Sequence, residues 1–459
     1  MPTGGNRPYL KGGELPEVLL SFRKAPLALE QATYDPYEGL RYYGPYRAAD
    51  VKILHLMTEV AEPHRLSVVL ENLEEQIRSF LEELLEKDKA KVKIEREKFS
   101  DFLSIASESA NNRREFMKKI EDITKKYKEY IVLTYLPRYA LREEVRSRVY
   151  ARVKALGLQK GFISQFYSER LAGMLRSFSR NEDTWSVKAK VRNLSLNILA
   201  KAGGIPWALY NKLEYDIVVG MSWSIRRERI SSTGPTTRIY GVVHTFSNAG
   251  VFETFRAFAC RPKEEALTEA IQKSLDKISE DRPNSGGKVL IMTRERLKKK
   301  FLKRLSEHLK TQHGYDLDVV GVFAHTPIRM YDPRDKVLLA PSGLYFMESD
   351  RVAYLITTGK REKAKYTGIG VPRPVKVEVL YHSDQADMTL KRALVAAHAL
   401  TAMNWRSFWG SLRLPVPVHY ALLVAQTLRA MDNEDLENAF EIDGYLYKPK
   451  NYVDKPWFL

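Results

Sequence analysis

Tyr150 and Lys154 stand four residues apart in a helix-patterned segment, so a phenol and an ammonium share one face. Such a pair can hold a phosphate by charge-assisted hydrogen bonds. By itself it is equally the solvated face of a helix, since the chain has 25 tyrosines and 74 lysines and arginines. Lys201 closes a second helical segment just before Gly203-Gly204, where a lysine also complements the helix C-terminal dipole. Gln165, in Gly161-Phe-Ile-Ser-Gln165, could add an amide but means nothing alone. The 9 histidines show no His-Glu-x-x-His spacing, and His419 is expected to pack or hydrogen-bond locally. There is no Gly-rich nucleotide loop. The one cysteine, Cys260, excludes an intramolecular disulfide and a Cys-based zinc site.

These groups need elements to position them. Residues 1–56, rich in Gly, Pro and Tyr, read as extended or irregular with one hairpin. Apolar residues recur at helical spacing from Pro63 to Lys87, and Glu97 to Tyr127 reads as a charged helix. Tyr130 to Pro137 reads as a buried strand, followed by a helix from Arg142 to Leu156 that ends before Gly157. The helix from Ser186 to Ala202 stops at Gly203-Gly204-Ile205-Pro206, the main boundary. Beyond it come a strand at Tyr215–Gly220 and a hairpin of Arg238–Thr245 with Val251–Ala259. Helices at Lys263–Ile278 and Arg294–Lys310 then alternate with strands at Lys288–Met292 and Leu317–Ala324. Further strands are expected near Lys336–Leu339, Leu344–Glu348 and Val352–Thr358, and helices at Gln385–Met403 and Tyr420–Met431. Three antiparallel strands followed by helix, strand, helix and strand is the order of an RNase H-like fold. The chain thus reads as an N-terminal segment (1–56), an α/β domain with helical segments (57–204) and a second α/β domain (205–459).

The formal charge of +17 over 459 residues favours a polyanionic partner, nucleic acid first and an anionic membrane surface second. An ordinary basic protein is the remaining alternative. The helix from Arg294 to Lys310 carries eight Lys or Arg against two Glu, a binding face or simply a solvated one. The polar start lacks a signal-peptide core, and no apolar run reaches the ~18 residues that span a bilayer, so a cytoplasmic protein without direct membrane insertion is expected.

In their order and spacing, Tyr150, Lys154, Gln165 and Lys201 resemble the 5′-phosphate pocket of the Argonaute MID domain. Lys201-Ala-Gly-Gly-Ile-Pro-Trp207 resembles the junction of MID with PIWI, and Tyr215-Asp-Ile-Val-Val-Gly220 the first PIWI strand. Met403-Asn-Trp-Arg406, Leu414-Pro-Val-Pro-Val-His-Tyr420 and the ending Pro456-Trp-Phe-Leu459 extend the likeness. The chain resembles a short prokaryotic Argonaute, closest in look to archaeal Piwi-like proteins, and the likeness covers about residues 130–459. It implies a Rossmann-like MID domain followed by an RNase H-like PIWI domain. Tyr150, Lys154, Gln165 and Lys201 would contact the 5′-phosphate of a small nucleic-acid guide, with Asn193 assisting. A divalent cation, Mg2+ in class, would bridge that phosphate through the Leu459 carboxylate and Asn197. Active PIWI domains cut with carboxylates that hold two metals. Their first Asp falls at Ser222 here, and the second near Arg294, with Glu295 adjacent and Asn404 in the late block. The resemblance therefore implies guide and target binding without cutting, a companion protein, and a role in defence against viruses or plasmids. A metal-dependent nuclease with displaced carboxylates and a general basic RNA scaffold are the rivals.

Overall fold

The computed structural model describes residues 11–22, 32–58, 63–99, 118–123, 125–127, 129–136, 143–178, 184–230, 234–261, 264–280, 286–336, 338–360, 371–408, 412–452 and 454–459. The N-terminal part holds short strands β1 (Lys11–Glu14), β2 (Leu20–Ser21) and β3 (Ala32–Thr33), then helix α1 (Pro36–Tyr43); β2 pairs antiparallel with β3 and with β8 (Ala208–Leu209). Asp35 caps α1, accepting from the amides of Tyr37 and Glu38. That helix corrects the expectation of irregular structure throughout residues 1–56.

A four-stranded parallel sheet follows, in the order β5-β4-β6-β7. Its strands are β4 (Val51–Thr58), β5 (Val92–Phe99), β6 (Ile131–Leu136) and β7 (Ile163–Ser168). Helices α2 (Pro63–Leu85), α3 (Glu143–Lys160), α4 (Glu169–Phe178) and α5 (Thr184–Lys201) accompany it. The apolar stripe of α2, from Val69 and Leu70 to Leu85, is buried with Ile53, Ile131 and Leu133 of the sheet. The helix expected from Glu97 is corrected at its start, where Val92–Phe99 is a strand; among the described residues of that segment, 118–123 and 125–126 are helical. Residues 100–117 of that reading, and the stop at Pro137, lie outside the described residues.

Helix α3 also departs from expectation by running through Gly157 to Lys160. Gly157 accepts hydrogen bonds from the amides of Gly161 (2.9 Å) and Phe162 (3.0 Å) as the chain folds back into β7. A β-carbon there would lie 2.5 Å from the carbonyl oxygen of Phe162. Glycine is kept for this close approach, and the stop signal is absorbed into the helix end.

The second α/β unit is built on an eleven-stranded sheet, β1-β14-β15-β16-β13-β12-β9-β10-β11-β18-β17. At its centre β9 (Ile217–Ile230), β10 (Gly234–Ser247) and β11 (Phe252–Cys260) run antiparallel. Strand β12 (Gly287–Thr293) pairs parallel with β9, and β13 (Tyr315–Phe323) parallel with β12. This is the RNase H-like order. Helices α6 (Glu264–Glu280) and α7 (Lys299–His313) cover one face. On the flank lie β14 (Leu344–Met347), β15 (Val352–Leu355) and β16 (Val375–Tyr381); then come α8 (Ala386–Thr401), α9 (Val416–Ala430), α10 (Asn433–Ala439), β17 (Phe440–Asp443) and β18 (Leu446–Pro449). The strand expected at Lys336–Leu339 is absent among the described residues, and α7 begins five residues later than Arg294. Strand β16 and the β17–β18 hairpin were not foreseen. One apolar core joins the two units: Ala151, Ala155 and Ala200 pack in the same cluster as Val218, Phe255 and Leu459. No helix among the described residues is long and apolar enough to cross a membrane.

Gly157→Ala tests the fold-back that closes the pocket helix. Alanine is favoured in helices by about 1 kcal/mol. The overlap with a backbone oxygen should outweigh this, giving a net loss of about 1–2 kcal/mol, typical of overpacking. A thermal melt should show a lower midpoint; an unchanged or higher one would show that the Phe162 turn yields freely.

Candidate phosphate-binding site

Four of the sequence-predicted residues converge, although they come from three elements. Tyr150 and Lys154 project from α3, Gln165 from β7 and Lys201 from the last turn of α5. Lys154 Nζ donates to the carbonyl oxygens of Ser164 (2.8 Å) and Trp457 (2.7 Å). Lys201 Nζ donates to the same Ser164 oxygen (3.1 Å) and to Gln165 Oε1 (2.5 Å). Gln165 Nε2 donates to the Phe166 carbonyl at 3.0 Å. Tyr150 Oη donates to the Phe458 carbonyl at 2.9 Å, so its one proton is committed to the chain's own tail.

That tail forms a wall of the site. Trp457, Phe458 and Leu459 are all buried. Phe458 packs edge-on to Phe252 and Tyr420, with ring centroids 5.8 and 5.4 Å away, and Trp457 packs on Phe255. Aromatic burial therefore fixes the carbonyls that receive Tyr150 and Lys154.

The electrostatics are unusual. Lys154 and Lys201 are 2% and 1% exposed and share one carbonyl acceptor, and among the described residues neither meets a carboxylate side chain. Burial, together with the charge of Arg406, pushes the Lys154 ammonium down to about 7. Lys201 is driven well below its ordinary value by burial, then by the charges of Lys154 and Arg406. An ammonium has three donors, and each lysine here spends two. The two side chains also hydrogen-bond to each other, and the charge of the exposed Arg406 acts on both. Chemically this is an anion site.

Asn193 lies one turn before Asn197 on α5; its Oδ1 accepts from the Phe408 amide at 3.1 Å, which makes it a brace for the 404–408 turn. Asn197 Nδ2 donates to the Asn193 carbonyl at 2.5 Å and toward that of Arg406 at 3.4 Å. An amide oxygen at Asn197 and a carboxylate at Leu459 are donor types that a hard cation takes. Arg406 was missed as a site residue. Its place in Met403-Asn-Trp-Arg406 gave no local signal, because it reaches the lysines only through tertiary packing.

Ser222 and Arg294, the positions at which the resemblance would place catalytic carboxylates, lie elsewhere, where β9 and β12 pair. Ser222 is fully buried, and its hydroxyl donates to Glu295 Oε1 at 3.3 Å. Burial raises the Glu295 carboxyl, against the lowering charge of Arg294, whose Nε lies 3.9 Å away. Asn404 accepts from the Arg406 amide at 3.2 Å and so shapes the same turn. His419 is pushed down to about 4, mainly by burial and then by Arg406. Among the described residues, no group of three metal-ligating side chains forms around Glu295.

The Piwi-domain family model matches residues 140–433, which includes the pocket and most of the large sheet. The argonaute protein of Pyrococcus furiosus is 23% identical over 319 residues, covering 67% of this chain and 38% of that protein. A Clostridium butyricum Argonaute bound to a guide DNA and a 19-mer target DNA superposes with a TM-score of 0.63 at 16% identity, over 92% of this chain and 53% of that one. Aquifex aeolicus Argonaute superposes with a TM-score of 0.58 at 17% identity, over 98% and 57%. The chain spans well under two thirds of these relatives' lengths. With its MID-like pocket and its RNase H-like sheet, the chain belongs to the Piwi-domain family of Argonaute proteins.

Proposed function

We propose that this chain binds a small nucleic-acid guide by its 5′-phosphate and presents it for pairing with a complementary target, without cutting that target. The observation that carries this reading is the pair of buried lysines, Lys154 and Lys201, gathered on one carbonyl with no carboxylate side chain paired to either among the described residues. Burying two like charges is unfavourable unless an anion completes the site. A terminal phosphate brings close to two negative charges and three acceptor oxygens. It would take N–H groups of Lys154 and Lys201 and the guanidinium of Arg406. Tyr150 exchanges its Phe458 acceptor for a phosphate oxygen, and Gln165 keeps Lys201 aimed. Leu459 and Asn197 Oδ1 would hold a divalent cation of the Mg2+ class, which neutralises part of the phosphate charge. Target sequence is then read by base pairing, and the protein holds backbone.

The non-cutting half rests on Ser222 and Arg294. A neutral hydroxyl cannot bridge two metal ions as a carboxylate does, and a guanidinium beside Glu295 opposes their binding. Damage to an invader would come from a companion protein, in a cytoplasmic defence against viruses or plasmids.

Lys154→Met with Lys201→Met keeps the bulk and removes both charges. Each charge-assisted bond is worth about 1.5–3 kcal/mol. A 5′-phosphorylated guide should therefore lose about 100-fold or more in affinity. A 5′-hydroxyl guide should change little, and equal losses for the two would sink the phosphate pocket.

Phosphate raises the Lys154 pKa from its starting value of about 7, because it stabilises the charged form. Below that value the lysine is already protonated, so binding costs no proton. Above it, binding must take one up, and affinity falls as pH rises. Calorimetry at pH 8 in buffers of differing ionisation heat should show proton uptake that is lost in Lys154→Met. Release of protons would contradict the assignment.

With a matched guide and target in Mg2+ or Mn2+, the protein should leave the target intact. Cleavage that disappears in Glu295→Ala would instead establish a nuclease with a displaced carboxylate.

A further inference from the structure

A second cation-binding arrangement lies on the outer helices of the large sheet, apart from the Lys154 pocket and the Ser222 end. Asp276 stands on α6, and His308 and His313 stand on α7. His308 Nε2 lies 2.6 Å from Asp276 Oδ1, and His313 Nε2 lies 3.2 Å from the same oxygen. One ligand atom from each residue lies within 4.8 Å of the other two. The imidazoles are 6.1 Å apart between centroids and inclined at 73°. This is the sole such cluster of His, Cys, Asp or Glu among the described residues.

We infer that Asp276, His308 and His313 form a binding site for a late first-row divalent cation of the zinc class, clipping α6 to α7. Zinc takes imidazole nitrogen and carboxylate oxygen at about 2.0–2.2 Å, which sets tetrahedral donors about 3.3 Å apart. The 3.2 Å separation already matches, and the 2.6 Å one needs only a small opening. Two nitrogens and one oxygen select zinc over Mg2+ or Ca2+, which prefer oxygen sets. The three side chains are 20–27% exposed, so an ion can enter and water can take the fourth position.

The site is held in place from beneath. Phe301, Leu302, Leu305 and Leu309 of α7 are buried in one cluster with Ala270, Ile271 and Leu275 of α6. His313 is the last residue of α7, and Gly314 then turns into the left-handed conformation that ends the helix. That turn lets a histidine five residues after His308 reach the same carboxylate. The nearby cations carry their own anions: Lys273 pairs with Glu269, Lys277 with Glu280 and Lys310 with Asp316. Repulsion at the site is correspondingly reduced. In the absence of metal, one oxygen must receive both imidazoles while each ring presents an Nε2 proton, and a bound ion removes that demand.

The test uses full-length protein without a histidine tag, stripped of metal by chelation. Addition of Zn2+ at micromolar concentration should load about one equivalent per chain, measured by elemental analysis after desalting. It should also raise the melting temperature by several degrees. His308→Ala and Asp276→Asn should each weaken loading by about 100-fold, more than loss of an outer-shell partner does. The asparagine variant keeps a hydrogen-bond acceptor, so loss of zinc with a normal metal-free melt separates ligation from folding. A wild-type chain that retains no zinc, or variants that retain a full equivalent, would leave a hydrogen-bonded His-Asp-His trio and overturn the site. Guide binding is unaffected by either result, so the two readings fail independently.

Discussion

Two ammonium groups buried against one carbonyl oxygen are the constraint around which the rest of this molecule is arranged. Lys154 and Lys201 both reach Ser164, at 2.8 and 3.1 Å. Charges so deeply withdrawn from water are costly, and the second is costlier beside the first. The fold offsets this with dipoles in place of counter-ions. The Ser164, Trp457 and Gln165 oxygens are turned inward at the cost of fixing β7, the end of α5 and the chain terminus. The aromatic packing of Trp457 and Phe458 follows from that need, because a carbonyl wall is useful only if it does not move. So does the glycine at position 157, which lets β7 return directly beneath α3.

The opposite balance holds where β9 meets β12. There a half-buried carboxyl, Glu295, faces a hydroxyl and a neighbouring guanidinium. A single such group cannot concentrate enough negative charge to hold two divalent ions. On the proposed reading the large sheet supplies shape and rigidity, and the chemistry of capture sits at its junction with the smaller unit. Gly220 illustrates how tightly that scaffold is built: a β-carbon there would meet the Pro417 carbonyl at 2.3 Å and His244 Nε2 at 2.4 Å. Strand β9 and helix α9 consequently sit almost backbone to backbone, which carries α9 and Tyr420 to the tail.

Much of this was legible in the residues, and the failures have physical causes. The largely apolar run of Ile131–Leu136 marked a buried strand, and Gly203-Gly204 marked the end of α5. In Val92–Phe99, by contrast, alternating charges imitate a helical surface, while parallel pairing with Val51–Thr58 makes it a strand. Long-range partners left no local trace. Tyr150 finds Phe458 across 308 positions, and Arg406, although part of Met403-Asn-Trp-Arg406, acts on the lysines only through the fold. The Asp276, His308 and His313 cluster escaped for a related reason. Its spacing spans two helices, and motif spacing within one element cannot reveal it.

On the proposed reading, the terminal tail also explains selectivity for a strand end. An internal phosphodiester carries one charge and continues in both directions. A site walled by the buried Trp457 and Phe458 is suited to a strand end. A terminal monoester carries ≈ −1.5 to −2 charge near neutral pH, which matches two lysines better than a diester can. Net positive charge alone would favour any stretch of nucleic acid equally. On this reading the discrimination comes from where two of the 74 basic residues are placed, and from the carbonyls of Trp457 and Phe458 that receive Lys154 and Tyr150.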